Sequence, residues 1–156
     1  AREQGLSASD YGNAKMVPQF WGAENYNFEK WEAPNTKVML GFNEPDLSHS
    51  GGSNMDVSRA LDLWMENVAD AKKQGYTMFV APSIALPLPK RYSGVEGNDW
   101  LPEFLKSCLS REGCSGTVNF LGFHMYEPNC PTDATTVKKW NLNRVLSLKK
   151  LAEEFN

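Results

Sequence analysis

Histidine and cysteine are scarce in this 156-residue chain, at two and three copies. Cys108, Cys114 and Cys130 do not fall in Cys-x-x-Cys spacing, and His49 and His124 stand far apart, so no zinc ligand set stands out and no metal is expected. Positive charge is not in excess: 16 Lys and Arg meet 19 Asp and Glu, a net charge of -3. That removes the counterion release by which proteins hold nucleic acids, and nucleic acid is set aside as a partner. No apolar run approaches the roughly 20 residues that cross a bilayer, so no membrane span is expected. The opening Ala1-Arg2-Glu3-Gln4-Gly5 lacks the basic-then-apolar layout of a signal peptide, and any export signal is expected outside these residues. Gly51-Gly52 has no strand directly ahead of it and no GxGxxG or GKS/T pattern, which leaves a phosphate cradle unsupported. Ser83 lacks GxSxG surroundings and Cys130 has no identifiable base, so nucleophilic triads are equally unsupported. No cofactor is implied. No Asn-x-Ser/Thr acceptor occurs to speak for export.

What the chain does contain is a globular composition, 41% hydrophobic and 22% charged, at a length that suits one domain. Aromatics reach 12%, with five Trp. Flat exposed rings suit the apolar faces of sugars as well as they suit a core, so carbohydrate enters as a candidate ligand.

Four continuous apolar stretches, Met16 to Trp21, Val38 to Phe42, Thr77 to Ala81 and Val118 to Phe123, read as strands covered on both faces. Their starts lie about 22, 40 and 40 residues apart, the spacing of βαβ crossovers in a parallel sheet. Between them, Val57, Ala60, Leu61, Trp64, Val68 and Ala71 form one apolar stripe and predict a helix over about 56–74, capped by Ser53, Asn54 or Asp56 and ended by Gly75. A second helix is expected over about 99–110, with Pro102 in its first turn and Gly113 just beyond its end. A third is expected over about 142–155 on Val145, Leu148, Leu151 and Ala152, and a single helical turn near Phe28 to Trp31. A complete eight-stranded β/α barrel takes about 250 residues, or at least about 200. The expected fold is therefore α/β, either an open sheet or a (β/α)8 barrel of TIM type of which residues 1–156 supply about half, as one partial domain. Half a barrel would leave two sheet edges and an apolar surface uncovered, so a further covering segment is expected.

The string Val38-Met39-Leu40-Gly41-Phe42-Asn43-Glu44-Pro45-Asp46 is a buried strand ending in polar groups. Functional side chains of parallel α/β proteins gather at such carboxyl ends. Apolar neighbours and the fixed ring of Pro45 would desolvate Glu44 and suit it to general acid chemistry, with Asn43 placed to orient a substrate hydroxyl. The alternative is a strand-ending turn with a merely solvated Glu44. Phe123 is followed by His124, Met125 and Tyr126, which bring two polar rings to the same rim; the plainer reading of His124 is a satisfied, partly buried side chain. Trp21 offers a stacking platform or a core ring, and Pro82-Ser83 a hydroxyl at the same mouth. Cys108 and Cys114 bracket a helix end, close enough to form a disulfide or to remain two thiols. Cys130 is then left over, unpaired or bonded outside this chain.

At Gly41-Phe42-Asn43-Glu44-Pro45-Asp46 the sequence resembles glycoside hydrolase family 128, secreted β-1,3-glucanases among the (β/α)8-barrel retaining hydrolases of clan A. Val17-Pro18-Gln19-Phe20-Trp21-Gly22 is similar to the family's third-strand motif, Ala81-Pro82-Ser83 to its fifth and Phe123-His124-Met125-Tyr126 to its sixth. Trp100-Leu101, Phe104-Leu105, Cys108 and Cys114 are similar in order and spacing, and the likeness runs from about Met16 to the end. The resemblance implies that Glu44 is the catalytic acid/base, that Asn43 contacts the sugar's 2-hydroxyl, and that Trp21, His124 and Tyr126 line glucan subsites. It also implies an extracellular or cell-wall location. The family's nucleophile, a Glu ending the seventh strand, has no counterpart here, the first strand is missing, and Gly5 to Asn13 matches the second only faintly. A retaining glycosidase needs two carboxyl groups roughly 5 to 5.5 Å apart. Glu127 leaves the sixth strand and Glu96, Glu103, Glu153 and Glu154 belong to helices or loops, the last two on a solvated helix face, so none substitutes. The expected function is hydrolysis of β-1,3-glucan, of endo type and with retention, in a protein where further segments of the same polypeptide complete the barrel; this chain alone would be inactive. The rival is a non-catalytic glucan-binding or structural protein of a cell surface or extracellular assembly.

Overall fold

The computed structural model of the chain describes residues 17–23, 36–48, 51–126 and 133–155. Two strands, β1 (Val38–Met39) and β2 (Met78–Phe79), pair in parallel with Val38 opposite Met78 and Met39 opposite Phe79. Single parallel bridges extend this ladder, Gln19 to Leu40 on one side, Asn43 to Ser83 further along it, and Val80 to Phe120 and Ile84 to Phe123 on the other side. Four extended segments thus lie side by side in chain order. They coincide with the four apolar stretches, yet only two carry a regular ladder.

The interruption has a local cause. Pro82 has no amide hydrogen to give, so donation toward the β1 segment stops after Val80 N to Met39 O and resumes at Ser83 N to Phe42 O. Opposite it Gly41 lets the backbones close up: an added Cβ would stand 2.6 Å from the Val80 carbonyl oxygen and 2.7 Å from the Pro82 nitrogen. Gly41→Ala should therefore destabilise the fold by about 1–3 kcal/mol, read as a lower urea midpoint at unchanged slope. An unchanged midpoint would show that the strands can separate at no cost.

Helix α1 (Val57–Lys73) begins where Asp56 accepts from the Arg59 amide and ends with Lys72 and Lys73 in its last turn, where cations suit the dipole. Gly75 follows at φ 89°, the left-handed value that stops a helix. A short helix, α2 (Lys90–Ser93), was not expected from the periodicity. Helix α3 (Trp100–Ser110) follows Asp99 and carries Pro102 in its first turn, as its sequence suggested. Helix α4 (Ala134–Glu154) starts well before the expected Leu142, because Asp133 accepts from the amides of Thr135 and Thr136 and nucleates a first turn that has no apolar stripe. Its apolar face is only partly covered: Leu151 is fully buried, whereas Val145 is half exposed.

Trp64 of α1 occupies the centre of the core with no exposure. Phe20, Phe42, Phe79 and Phe104 present edges to it at centroid distances of 6.1, 6.2, 6.3 and 5.6 Å, the geometry that ring quadrupoles favour. Its indole N–H is satisfied by Thr117 Oγ1 at 2.8 Å. Cys108 and Cys114 form a disulfide with Cα atoms 5.1 Å apart, pinning the end of α3 to the turn that carries Thr117. Among the described residues no helix is long and apolar enough to cross a membrane, and no cluster of three His, Cys, Asp or Glu side chains could hold a metal. Gly5 to Asn13, Met16, Phe28 to Trp31, His49, Glu127 and Cys130 lie outside the described residues.

Candidate functional site

The strand that begins at Val38 delivers Glu44 to the carboxyl end of the sheet. The Asn43 amide donates to Trp21 O at 2.9 Å and the Glu44 amide to Ser83 O at 2.9 Å, so neighbouring strands hold the backbone from both sides. Glu44 adopts φ 46°, a left-handed value that a non-glycine residue reaches only at a cost of about 1–3 kcal/mol, and one that a following proline further disfavours. The loop beyond keeps it there. Leu47 N donates to Glu44 O at 3.1 Å, and Gly52 packs so closely that a Cβ would lie 2.6 Å from that same oxygen.

The carboxyl of Glu44 is 5% exposed as a residue and is met by two rings from the strand end two places along the sheet. His124 Nδ1 lies 2.5 Å from Glu44 Oε1, Tyr126 donates its hydroxyl to the same oxygen, and Nδ1 and the phenol oxygen are 2.7 Å apart. The proton between His124 and Glu44 can sit on either partner: His124 Nδ1–H donates to an ionised Glu44, or a protonated Glu44 donates to a bare Nδ1. The hydrogen bond to Glu44, with desolvation and the carboxylate's charge adding to it, pushes the Tyr126 phenol up to about 12. Because the folded value exceeds the ordinary one near 10, the bond stabilises the protein fully below pH 10 and ceases to as pH rises through about 12. Ultraviolet titration should show one tyrosine ionising near 12 that moves down in Glu44→Gln; no difference between the two proteins would mean that the bond does not form in solution.

The other expected residues divide. Trp21 is 43% exposed, its backbone bonded to Asn43. Asn43 donates its side-chain N–H to Gly51 O at 2.7 Å and so shapes the loop after Glu44. Ser83 is buried at the same rim, packed against Gly122. Two residues that sequence reasoning missed hold the site together. Asp46 accepts from the amides of Ala85 and Leu86 at 3.0 and 2.9 Å and from Asn98 Nδ2 at 3.0 Å, lashing the loop after Glu44 to the next one. It stood inside the Asn-Glu-Pro-Asp string but was legible only as a turn former. Arg144 of α4 donates to His124 O at 2.5 Å and had no signal in the sequence at all. Of the acids on helices, Glu153 pairs with Lys149 at 3.7 Å, while Glu154 is not simply solvated: it accepts from Tyr92 OH at 2.6 Å and ties α4 to α2.

Comparison with known proteins bears on this geometry. A family model described as "Glycosyl hydrolase catalytic core" matches residues 2–147. The structure is similar to a family 128, subgroup I, endo-β-1,3-glucanase from Amycolatopsis mediterranei in complex with laminaritriose and laminaribiose, at 27% identity and a TM-score of 0.60 over 90% of this chain and 52% of that one. It shares its fold with a family 128, subgroup VII, oligosaccharide-binding protein from Cryptococcus neoformans, at 21% identity and a TM-score of 0.54 over 89% of this chain and 50% of that one. In sequence, 90 residues are 30% identical to alkali-sensitive linkage protein 1 of Schizosaccharomyces pombe, covering 57% of this chain and 14% of that protein. The chain thus spans about half the length of these solved structures.

Proposed function

The chain belongs to the glycosyl hydrolase catalytic core family, in its glycoside hydrolase family 128 branch, and from that premise we propose that it carries the acid/base half of a retaining β-1,3-glucanase site. The observation that carries the reading is the Glu44 carboxyl, buried at the end of its strand and held on one oxygen by His124 and Tyr126. Glu44 protonates the glycosidic oxygen as the bond breaks, then takes the proton of the water that releases the product. His124 and Tyr126 hold its carboxyl in line for both steps, and with Trp21 and Asn43 they line the groove that takes the glucan. The opposing carboxylate, the nucleophile, comes from further segments of the same polypeptide, which also close the sheet into a (β/α)8 barrel. The one-way strand order supports this closure, since a doubly wound sheet reverses its order near the middle. So does the half-covered apolar face of α4. The Cys108–Cys114 disulfide supports an extracellular or cell-wall location.

The test uses the complete polypeptide and laminarin. Release of reducing ends, with the product's anomeric configuration retained by NMR, is the expected result. The rival reading, a non-catalytic glucan-binding or structural protein, is favoured by the shared fold of the Cryptococcus oligosaccharide-binding protein. Its outcome would be laminarin binding with no release of reducing ends, and inversion would refute the retaining mechanism.

A further inference from the structure

The segment that brings His124 and Tyr126 to Glu44 leaves the sheet just before it reaches them. Among the described residues its last bridge joins Phe123 to Ile84, and one backbone bond follows, from His124 N to Ile84 O at 3.1 Å. Beyond it Met125 and Tyr126 are 48% and 53% exposed, so little packing fixes the chain that must set two rings against one carboxyl oxygen. The His124 carbonyl is held from elsewhere, by Arg144 of α4, twenty residues further along the chain, at 2.5 Å. We propose that Arg144 is a positioning residue for the acid/base: by fixing the His124 peptide it sets where the imidazole and the Tyr126 hydroxyl stand, and through them how the Glu44 carboxyl is aimed. The inference rests on the reading of Glu44 as the acid/base and adds to it a residue from outside the strand-end motifs.

The carbonyl is an effective handle. It lies in the rigid peptide plane between His124 and Met125, so holding it fixes the torsion that sends the chain on to Tyr126. His124 is then gripped at three points, its amide on Ile84 O, its carbonyl by Arg144 and its ring on Glu44. A guanidinium suits the task, because it is always charged and an ionised donor bonds a carbonyl roughly twice as strongly as a neutral one. The helix that carries it is itself fixed. Arg144, Ser147 and Leu151 follow one another at steps of three and four along α4 and so share a face, and the burial of Ser147 and Leu151 turns Arg144 towards the sheet. At the end of α4, Glu154 accepts from Tyr92 OH at 2.6 Å and Lys150 Nζ donates to Tyr92 O at 3.3 Å, which ties the last turns to α2. The aim of Glu44 thus depends on a helix that lends neither a carboxyl nor a ring to the cluster.

Arg144→Met, which keeps the aliphatic stem and removes every donor, tests the inference in the complete polypeptide. It should lower kcat on laminarin by about ten- to a hundredfold and change KM only a few-fold, since a small misplacement of a reacting group costs rate more than binding. Arg144→Lys, which can still donate to the carbonyl, should recover most of that kcat. Ultraviolet titration reads the same contact without any turnover: the tyrosine that ionises near 12 should move down in Arg144→Met and stay in place in Arg144→Lys. Arg144→Gln keeps a neutral donor, should fall between the two, and serves for both measurements if Arg144→Met does not fold. Wild-type kcat and an unmoved tyrosine in folded Arg144→Met would overturn the positioning role and leave the Glu44 reading standing. A kcat loss that Arg144→Lys does not recover, with the tyrosine unmoved, would make Arg144 merely structural and overturn it too. A wild type without turnover whose tyrosine still moves in Arg144→Met would overturn the hydrolase reading, with Arg144 keeping its hold on the cluster.

Discussion

Glu44→Gln is expected to lower laminarin turnover by about three to four orders of magnitude in the complete polypeptide while changing glucan affinity only a few-fold. The substitution keeps size and one acceptor oxygen, so the hydroxyl of Tyr126 and an Nδ1–H of His124 retain a partner. What it removes is the proton donated to the leaving oxygen and later recovered from water. Activated substrates with good leaving groups should suffer less in the first step, which separates lost acid catalysis from lost binding. Turnover within tenfold of wild type would place the acid elsewhere and end the assignment. A circular dichroism melt matching wild type guards against reading a folding defect as a chemical one.

Trp64→Ala should destabilise the protein by about 3–5 kcal/mol, a large part of the stability of an ordinary domain. The indole fills the space between four phenylalanines drawn from three strand segments and α3, so its removal opens a cavity that no single neighbour can close. Thr117 loses a donor but keeps its own bond to Cys114 O at 2.7 Å, which limits the polar part of the penalty. Trp64→Phe should cost less, since it retains most of the packing and forfeits mainly the N–H to Thr117. Urea midpoints of the two variants give the comparison; a loss under about 1 kcal/mol for the alanine would mean that the core collapses around the vacancy.

The elements that were legible in the sequence are those written in local chemistry. Helix α1 announced itself through its stripe, the Asp56 cap and Gly75, and α3 through Pro102 and its own stripe. The four strand segments showed as apolar runs at crossover spacing, and three of them end at residues the structure draws together: Glu44 meets His124 and Tyr126 directly, and Ser83 bonds the Glu44 backbone. Most other features depend on partners distant in the chain, and one on a single local cap. The short ladder follows from Pro82 facing Gly41 across the sheet. The early start of α4 is set by one aspartate before β-branched residues that by themselves resist helix. Asp46 was legible only as a turn former and Glu154 only as a solvated charge, and Arg144 left no signal, because the loops and helices they bind lie far away in the chain.

Asp46 links more than one loop, and this limits how the site could diversify. One carboxylate holds both the Leu86 amide, in the next loop, and the turn that follows Glu44 with its unusual backbone angle. Remodelling that loop would pull on the Glu44 backbone as well. Substitutions in either loop would therefore be felt in both, and compensating changes should collect around Asn98 and Ala85, where the shared anchor is fastened.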